Sequence, residues 1–301
     1  MVIKDFEGLI EKVKGFDKKK RMAVVVAEDE HTLEAVIKAQ VANIANAVLI
    51  GNAEKIRQIL VEMNQSFDDE CIIDAENDRA AAYKAVDLVN EGRIDFIMKG
   101  KIQTADLLSA VVDKERGIRT TKIMSHVVLN EVPSYHKLLL TTDGGMMMYP
   151  DVKQKQEILK NAVDALLALG YENPKVAVLA AVEQVNSKMP ETQDAVKLKE
   201  LNQAGVIDNC IVEGPISYDL ALSKDASSLK GYESLVSGDV DILLVPNITA
   251  GNILGKCLLW TAGARMAGFV SGAKVPIVLA SRGSSAEEKY LSLVLAAAVG
   301  G

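Results

Sequence analysis

The stretch Ser281-Arg282-Gly283-Ser284-Ser285, followed by Glu288, brings hydroxyls, a guanidinium and a carboxylate within eight positions. An apolar run, 275–281, leads into it and a helical pattern comes after, so the group falls where a strand ends and a helix begins. Open α/β sheets bind ligands beyond the carboxyl ends of their strands. A helix N-terminus offers unpaired amides with a partial positive charge, and Arg282 adds a planar fork suited to an oxyanion. The chemistry open to this set is phosphate or oxyanion binding. A structural reading fits the same residues: Ser284 or Ser285 caps the helix, and Ser285-x-x-Glu288 matches a capping box.

Two other junctions have the same character. Residues 241–256, DILLVPNITAGNILGK, read as a buried strand to 246 and a helix from about 252 to 267. Asn247, Gly251, Asn252 and Lys256 gather at that junction and suit a polyanion, although Asn and Gly are also ordinary turn residues. Residues 98–106, MKGKIQTAD, end a strand on Lys99-Gly100-Lys101 and place Thr104 as the N-cap of a helix beginning at 105. Lysines at a strand's carboxyl end can meet phosphate.

Other site chemistries lack their residues. No GxGxxG follows the first strand, so the dinucleotide-binding turn is missing. The run from Gly251 to Lys256 is one residue short of a Walker A loop, and Cys257 stands where Ser or Thr would ligate magnesium. The histidines, His31, His126 and His136, have no metal spacing, and neither HExxH nor GxSxG occurs.

The elements that must position these junctions alternate along the chain. Strands at 21–27, 47–51, 71–74 and 95–99 are separated by helices at 31–43, 53–63 and 77–90, which implies parallel pairing with helices on both faces. Residues 126–131 and 137–142 read as an antiparallel hairpin that ends in the turn Asp143-Gly144-Gly145. Alternation resumes with helix 151–169, strand 176–180, helix 192–204, strand 210–213 and strand 241–246. Strand 275–281 and a final helix to 299 close the chain.

The 301 residues suit about two domains on the usual length prior. Aromatics make up only 4% against 49% hydrophobic residues, so the cores are aliphatic, which favours α/β layering. A net charge of −7 without a basic cluster argues against nucleic-acid binding. Cys71, Cys210 and Cys257 are odd in number and far apart, which predicts buried free thiols in a reducing compartment. No apolar run approaches the ~20 residues of a membrane span, and the N-terminus reads as an amphipathic helix rather than a leader. These features predict a cytoplasmic protein that engages no membrane.

Taken in order, KGKIQTADLL (99–108), EGPISYDLAL (213–222), VSGDVDILLVPNITAGNILGK (236–256) and SRGSSAEE (281–288) resemble the phosphate acetyl/butyryl transferase family, and the compact length, Pro246-Asn247 and Ser271–Leu279 look closer to its butyryl enzymes than to its acetyl ones. The resemblance covers nearly the whole chain. It implies two three-layer α/β/α domains of the isocitrate/isopropylmalate dehydrogenase-like type, with boundaries at 1–121 plus 271–301 and 122–270. It further implies an active site in the interdomain cleft and a homodimer. The activity it implies is a ternary-complex reaction in which acyl-CoA and phosphate give acyl phosphate and coenzyme A (CoA), with no permanently bound cofactor and no metal. Carried over, Ser281 bonds the reacting carbonyl and Arg282 holds the phosphoryl group. Gly283, Ser284, Asn247, Gly251, Asn252, Lys256, Lys99 and Thr104 would bind CoA or phosphate.

This chain has Glu288 where acetyl enzymes place an aspartate, so Glu288 is either the base or a helix cap. Trp260 stands where acetyl enzymes tend to carry an arginine; it either stacks on adenine or fills the core, and core filling is the expectation. The loop 186–192 matches a Ser/Thr/Gly-rich family loop, and Met146, Met147 and Met148 read as core or dimer packing. Two further readings stay open: a catalytically impaired CoA- or phosphate-binding protein, and a metal- and NAD-dependent hydroxyacid dehydrogenase of the same fold.

Overall fold

The computed structural model describes residues 2–280 and 283–300. In chain order its elements begin with α1 (Phe6–Lys14), β1 (Lys20–Val25), α2 (Glu30–Val41), β2 (Ala45–Gly51), α3 (Ala53–Glu62) and β3 (Ile72–Asp74). They continue with α4 (Asp78–Asn90), β4 (Phe96–Lys99), α5 (Thr104–Val111), β5 (Ser125–Glu131), β6 (Leu139–Thr142), α6 (Val152–Ala168) and β7 (Lys175–Leu179). The remainder are α7 (Pro190–Gln203), β8 (Ile211–Ile216), α8 (Tyr218–Leu222), α9 (Lys224–Leu229), β9 (Ile242–Leu244), α10 (Ile248–Trp260), β10 (Arg265–Ser271), β11 (Ile277–Val278) and α11 (Ala286–Val299). The chain divides into two compact units, Phe6–Lys122 with Ala267–Gly301, and Met1–Asp5 with Ile123–Met266.

In the first unit the strand order is β3-β2-β1-β4-β11-β10, parallel throughout except that β10 runs antiparallel to β11. Strands covered on both faces read as continuous apolar runs, as β4 (FIMK) does with every residue buried. The order reverses at β1: β2 and β3 lie on one side and β4 on the other. With right-handed crossovers, the helices before and after that reversal cover opposite faces. Accordingly α11 packs with α1 and α2, and α4 packs with α5.

The second unit has the order β5-β6-β9-β7-β8, with β5 and β6 antiparallel and the rest parallel. Its core holds Leu139, Ala177, Ile216, Val240 and Leu243, all but unexposed. Residues 2–5 belong here because the Ile3 carbonyl accepts from the Leu138 amide (3.3 Å) and the Tyr171 hydroxyl (3.3 Å).

Three expectations are corrected. The helix predicted from about 252 to 267 starts earlier and stops at Trp260, and residues 265–271 form β10. Gly263, at φ +67°, carries the backbone through the left-handed region that ends helices. Of the cysteines only Cys210 is buried; Cys71 is intermediate and Cys257 exposed. Trp260 fills no core, being 80% exposed. No helix among the described residues is long and apolar enough to cross a membrane.

Candidate functional site

Ser281 and Arg282 lie outside the described residues. The turn after them is well defined. Ser285 caps α11 by accepting from the Glu288 amide (3.1 Å), and its extended backbone (φ −64°, ψ 160°) leads into the helix. The Glu288 carboxylate does not complete a capping box here; Oε1 accepts from the Ser284 hydroxyl at 2.7 Å. In α6, by contrast, Asp151 and Gln154 make both halves of that motif. Ser292 donates to the Glu288 carbonyl (2.8 Å) and accepts from the Gly268 amide (3.0 Å), which joins this turn to β10. Glu288 is therefore half-buried, directed by a buried Ser284, and set in the first turn, where a helix favours negative charge. Gly283 is exposed.

One residue further on, Lys289 is buried and approaches Asp29 Oδ1 (3.4 Å) and Thr32 Oγ1 (3.3 Å). Asp29 is itself the N-cap of α2. Burial pushes the Asp29 carboxyl up, but its bonds to Thr32 and Lys289 outweigh burial and leave it below the usual range. This tether lay hidden in sequence because its partners are about 260 positions apart; the only signal was a lysine directly after Glu288.

Lys99 is buried at the end of β4, and its ammonium donates to the Gly100 carbonyl (3.2 Å). It lines a cavity of about 520 Å³ that also reaches Ala280 and Lys289. Thr104 is exposed and is the first residue of α5, not its N-cap; Gln103 occupies the cap position without a side-chain bond.

Asn247, Gly251, Asn252 and Lys256 sit on or before α10 in the other unit. Asn247 caps the helix by accepting from the Ala250 amide (3.1 Å). Gly251 is buried where a Cβ would lie 2.7 Å from Gly144 Cα, so α10 rests directly on the turn after β6. That turn is closed on itself: Asp143 accepts from the amides of Gly145 (2.8 Å), Met146 (2.9 Å) and Met147 (3.1 Å). Burial pushes the neighbouring His126 imidazole down, with Asp143 opposing. Asn252 and Lys256 are exposed. The loop carrying Asn186 and Ser187 borders a cavity of about 860 Å³ with Glu183, Lys230 and Tyr232. Glu183 there accepts from the Ser217 hydroxyl and stands 3.6 Å from the Lys230 ammonium. Among the described residues, no group of three or more His, Cys, Asp or Glu is arranged to hold a metal ion.

The family model described as phosphate acetyl/butaryl transferase matches residues 75–297. The chain is 43% identical over 300 residues to a phosphate butyryltransferase of Clostridium acetobutylicum, covering 100% of this chain and 99% of that one. It is 41% identical over 291 residues to a phosphate acetyltransferase of Thermotoga maritima, covering 97% and 98%. Among solved structures, a branched-chain phosphotransacylase from Enterococcus faecalis V583 superposes with a TM-score of 0.81 at 32% identity, covering 93% of this chain and 98% of that one. On these grounds, and with the Ser284–Glu288 turn present in the matched region, the chain belongs to the phosphate acetyl/butyryl transferase family.

Proposed function

We propose that this protein is a phosphate acyltransferase that moves a butyryl or branched short-chain acyl group between CoA and inorganic phosphate through a ternary complex. The observation that carries the reading is the Ser284–Glu288 hydroxyl–carboxylate pair, directly after Ser281-Arg282, in a chain of this family. Toward acyl-CoA, Glu288 takes the thiol proton of CoA and the thiolate attacks the carbonyl of the acyl phosphate. The new C–S bond forms as the C–O bond to phosphate breaks, and phosphate leaves. In the other direction a phosphate oxygen attacks the thioester, and Glu288 returns the proton to the departing thiolate. Ser281 bonds the carbonyl oxygen as charge develops on it, and Arg282 holds the phosphoryl group. Juxtaposing both substrates lowers the entropic barrier without a covalent enzyme intermediate. Gly283, Ser284, Lys99, Thr104, Asn247, Gly251, Asn252 and Lys256 serve as substrate-binding groups. Homodimerisation belongs to the same reading and is checked by light scattering.

The test is phosphate-dependent CoA release from acetyl-, butyryl- and isobutyryl-CoA, with Arg282→Ala beside the wild type. Release fastest on the four-carbon thioesters and lost in the variant is the expected result. No release from any of them, with CoA binding intact, would refute the catalytic reading in favour of a binding protein.

A further inference from the structure

The cavity of about 860 Å³ lies in the Ile123–Met266 unit, beyond the carboxyl ends of two parallel neighbours. Residues 182–187 of its lining follow β7, and Leu220 follows β8 on α8. Open α/β sheets take their ligands at those ends, and the volume falls in the range of pockets for organic molecules. On the other side of β7 stands β9, also parallel, and Asn247, Asn252 and Lys256 come after its carboxyl end. Neighbouring strands are about 4.8 Å apart. The cavity and the groups read as phosphate binders therefore share the same end of one sheet.

The lining itself does not suit a phosphate. Its one cation, Lys230, already meets Asp219 at 3.1 Å and Glu183 at 3.6 Å. It offers instead an acceptor, a ring and an apolar wall. The Glu183 side chain is 25% exposed. Its Oε1 accepts from the Ser217 hydroxyl and faces Lys230, while Oε2 has no hydrogen-bond partner among the described residues. A carboxylate oxygen drawn partly out of water gains from a ligand N–H that restores the lost bond. Tyr232 brings the ring, with its hydroxyl tied to the Pro215 carbonyl (3.4 Å). Burial and the nearby Glu213 carboxylate push its phenol up, so the ring stays neutral. Val182 and the buried Leu220 add apolar surface. An acceptor beside an aromatic ring and aliphatic side chains fits a flat heterocycle that carries an amino group.

We propose that this cavity receives the adenine ring of CoA, with Glu183 accepting from the exocyclic amine and Ser217 holding Glu183 in place. The proposal rests on the acyltransferase reading and deepens it, setting the base at β7 and β8 and the phosphates beside it at the β9–α10 junction. Glu183→Gln has the same shape and keeps an oxygen for Ser217, so an amide NH2 takes the place of Oε2. That change turns an acceptor into a donor. A donor opposes the adenine amine and suits the carbonyl that hypoxanthine carries at the same position.

KM is measured for butyryl-CoA, for its analogue with hypoxanthine in place of adenine, and for inorganic phosphate. The wild type should show a KM about 10-fold higher for the analogue, the cost of one lost charge-assisted bond. Glu183→Gln should narrow or reverse that ratio and leave the KM for phosphate unchanged. Equal KM values for the two thioesters in the wild type, or a ratio that Glu183→Gln leaves in place, would overturn the proposal. The wild-type ratio decides by itself where the variant does not fold. If the wild type turns over no thioester, the acyltransferase reading fails separately, and calorimetric titration with CoA and its hypoxanthine analogue still decides. A Kd about 10-fold weaker for the analogue supports the cavity; equal Kd values, or no binding of either, reject it.

Discussion

Glu288 can be a helix cap or a base, and the two roles separate because they use different atoms. The cap bond runs from the Glu288 backbone amide to Ser285, whereas the base would be the carboxylate that Ser284 directs. Glu288→Gln keeps the amide and an oxygen for Ser284, so its unfolding free energy should stay within about 1 kcal/mol of wild type. Turnover should fall by roughly 10²–10⁴-fold. Ser285→Ala should do the converse, costing about 0.5–2 kcal/mol in urea unfolding. Intact turnover in Glu288→Gln would leave it a cap alone. The sequence placed these residues at a helix start but could not choose between the roles, because Ser284 and Ser285 are adjacent and equivalent on paper. Cysteines were less legible, since burial depends on partners distant in the chain. Burial pushes the Cys210 thiol up to about 12, and Cys257 is exposed. A thiol reagent should therefore label Cys257 rapidly and Cys210 only after unfolding, read by peptide mass spectrometry. Labelling of Cys210 in the folded protein would contradict its burial.

At the scale of the element, α10 shows what a glycine does when the backbone of another segment touches it. A Cβ on Gly251 would meet Gly144 Cα at 2.7 Å, Val245 Cγ2 at 2.8 Å and the Asp143 carbonyl at 3.1 Å. Nothing lies within 4 Å of the same position on Gly255, one turn along. Gly251→Ala should destabilise by about 1–3 kcal/mol through overpacking. Gly255→Ala should stabilise by up to about 1 kcal/mol through helix propensity. Urea midpoints for the pair test this, and equal shifts would show that α10 does not rest on the turn. The strand–helix alternation from β1 to β4 was readable because buried parallel strands announce themselves as unbroken apolar runs. Strand β10 was not, because RMAGFVS continues the apolar composition of α10 and the break falls at Thr261, two residues before the left-handed Gly263. The cavity lined by Lys99 was legible only as Lys99-Gly100-Lys101. Its other lysines, Lys55 and Lys289, come from elements whose nearness depends on strand order, which no local pattern states.

At the scale of the whole molecule, the acidic charge is partly held in a network that ties neighbouring strands of the Ile123–Met266 unit. Asp239 receives Lys137 (2.8 Å), Lys175 (2.6 Å) and His136 (3.0 Å), and Lys137 also reaches Asp241 (2.6 Å). These residues flank β6, β7 and β9, which lie side by side. Partial burial pushes the Asp239 carboxyl up, but the bonds from Lys137, Lys175 and His136 outweigh it and hold the group far below the usual carboxylate range. A carboxyl depressed in the folded state stabilises above its unfolded value, near ~3.9, and loses that contribution as pH falls toward the folded value. Asp239 is about half exposed, so solvent screening limits the size of the effect. Its direction is fixed nonetheless. The urea midpoint of wild type should fall more steeply than that of Asp239→Asn between about pH 5 and pH 2. At pH 7 the variant should be the less stable of the two, since the buried Lys137 loses one of its two carboxylate partners. Parallel acid limbs in the two proteins would mean that Asp239 does not link folding to pH. The remaining slope would then belong to the other depressed carboxyls, Glu28, Asp29, Asp95 and Asp113 in the other unit and Asp219 in this one.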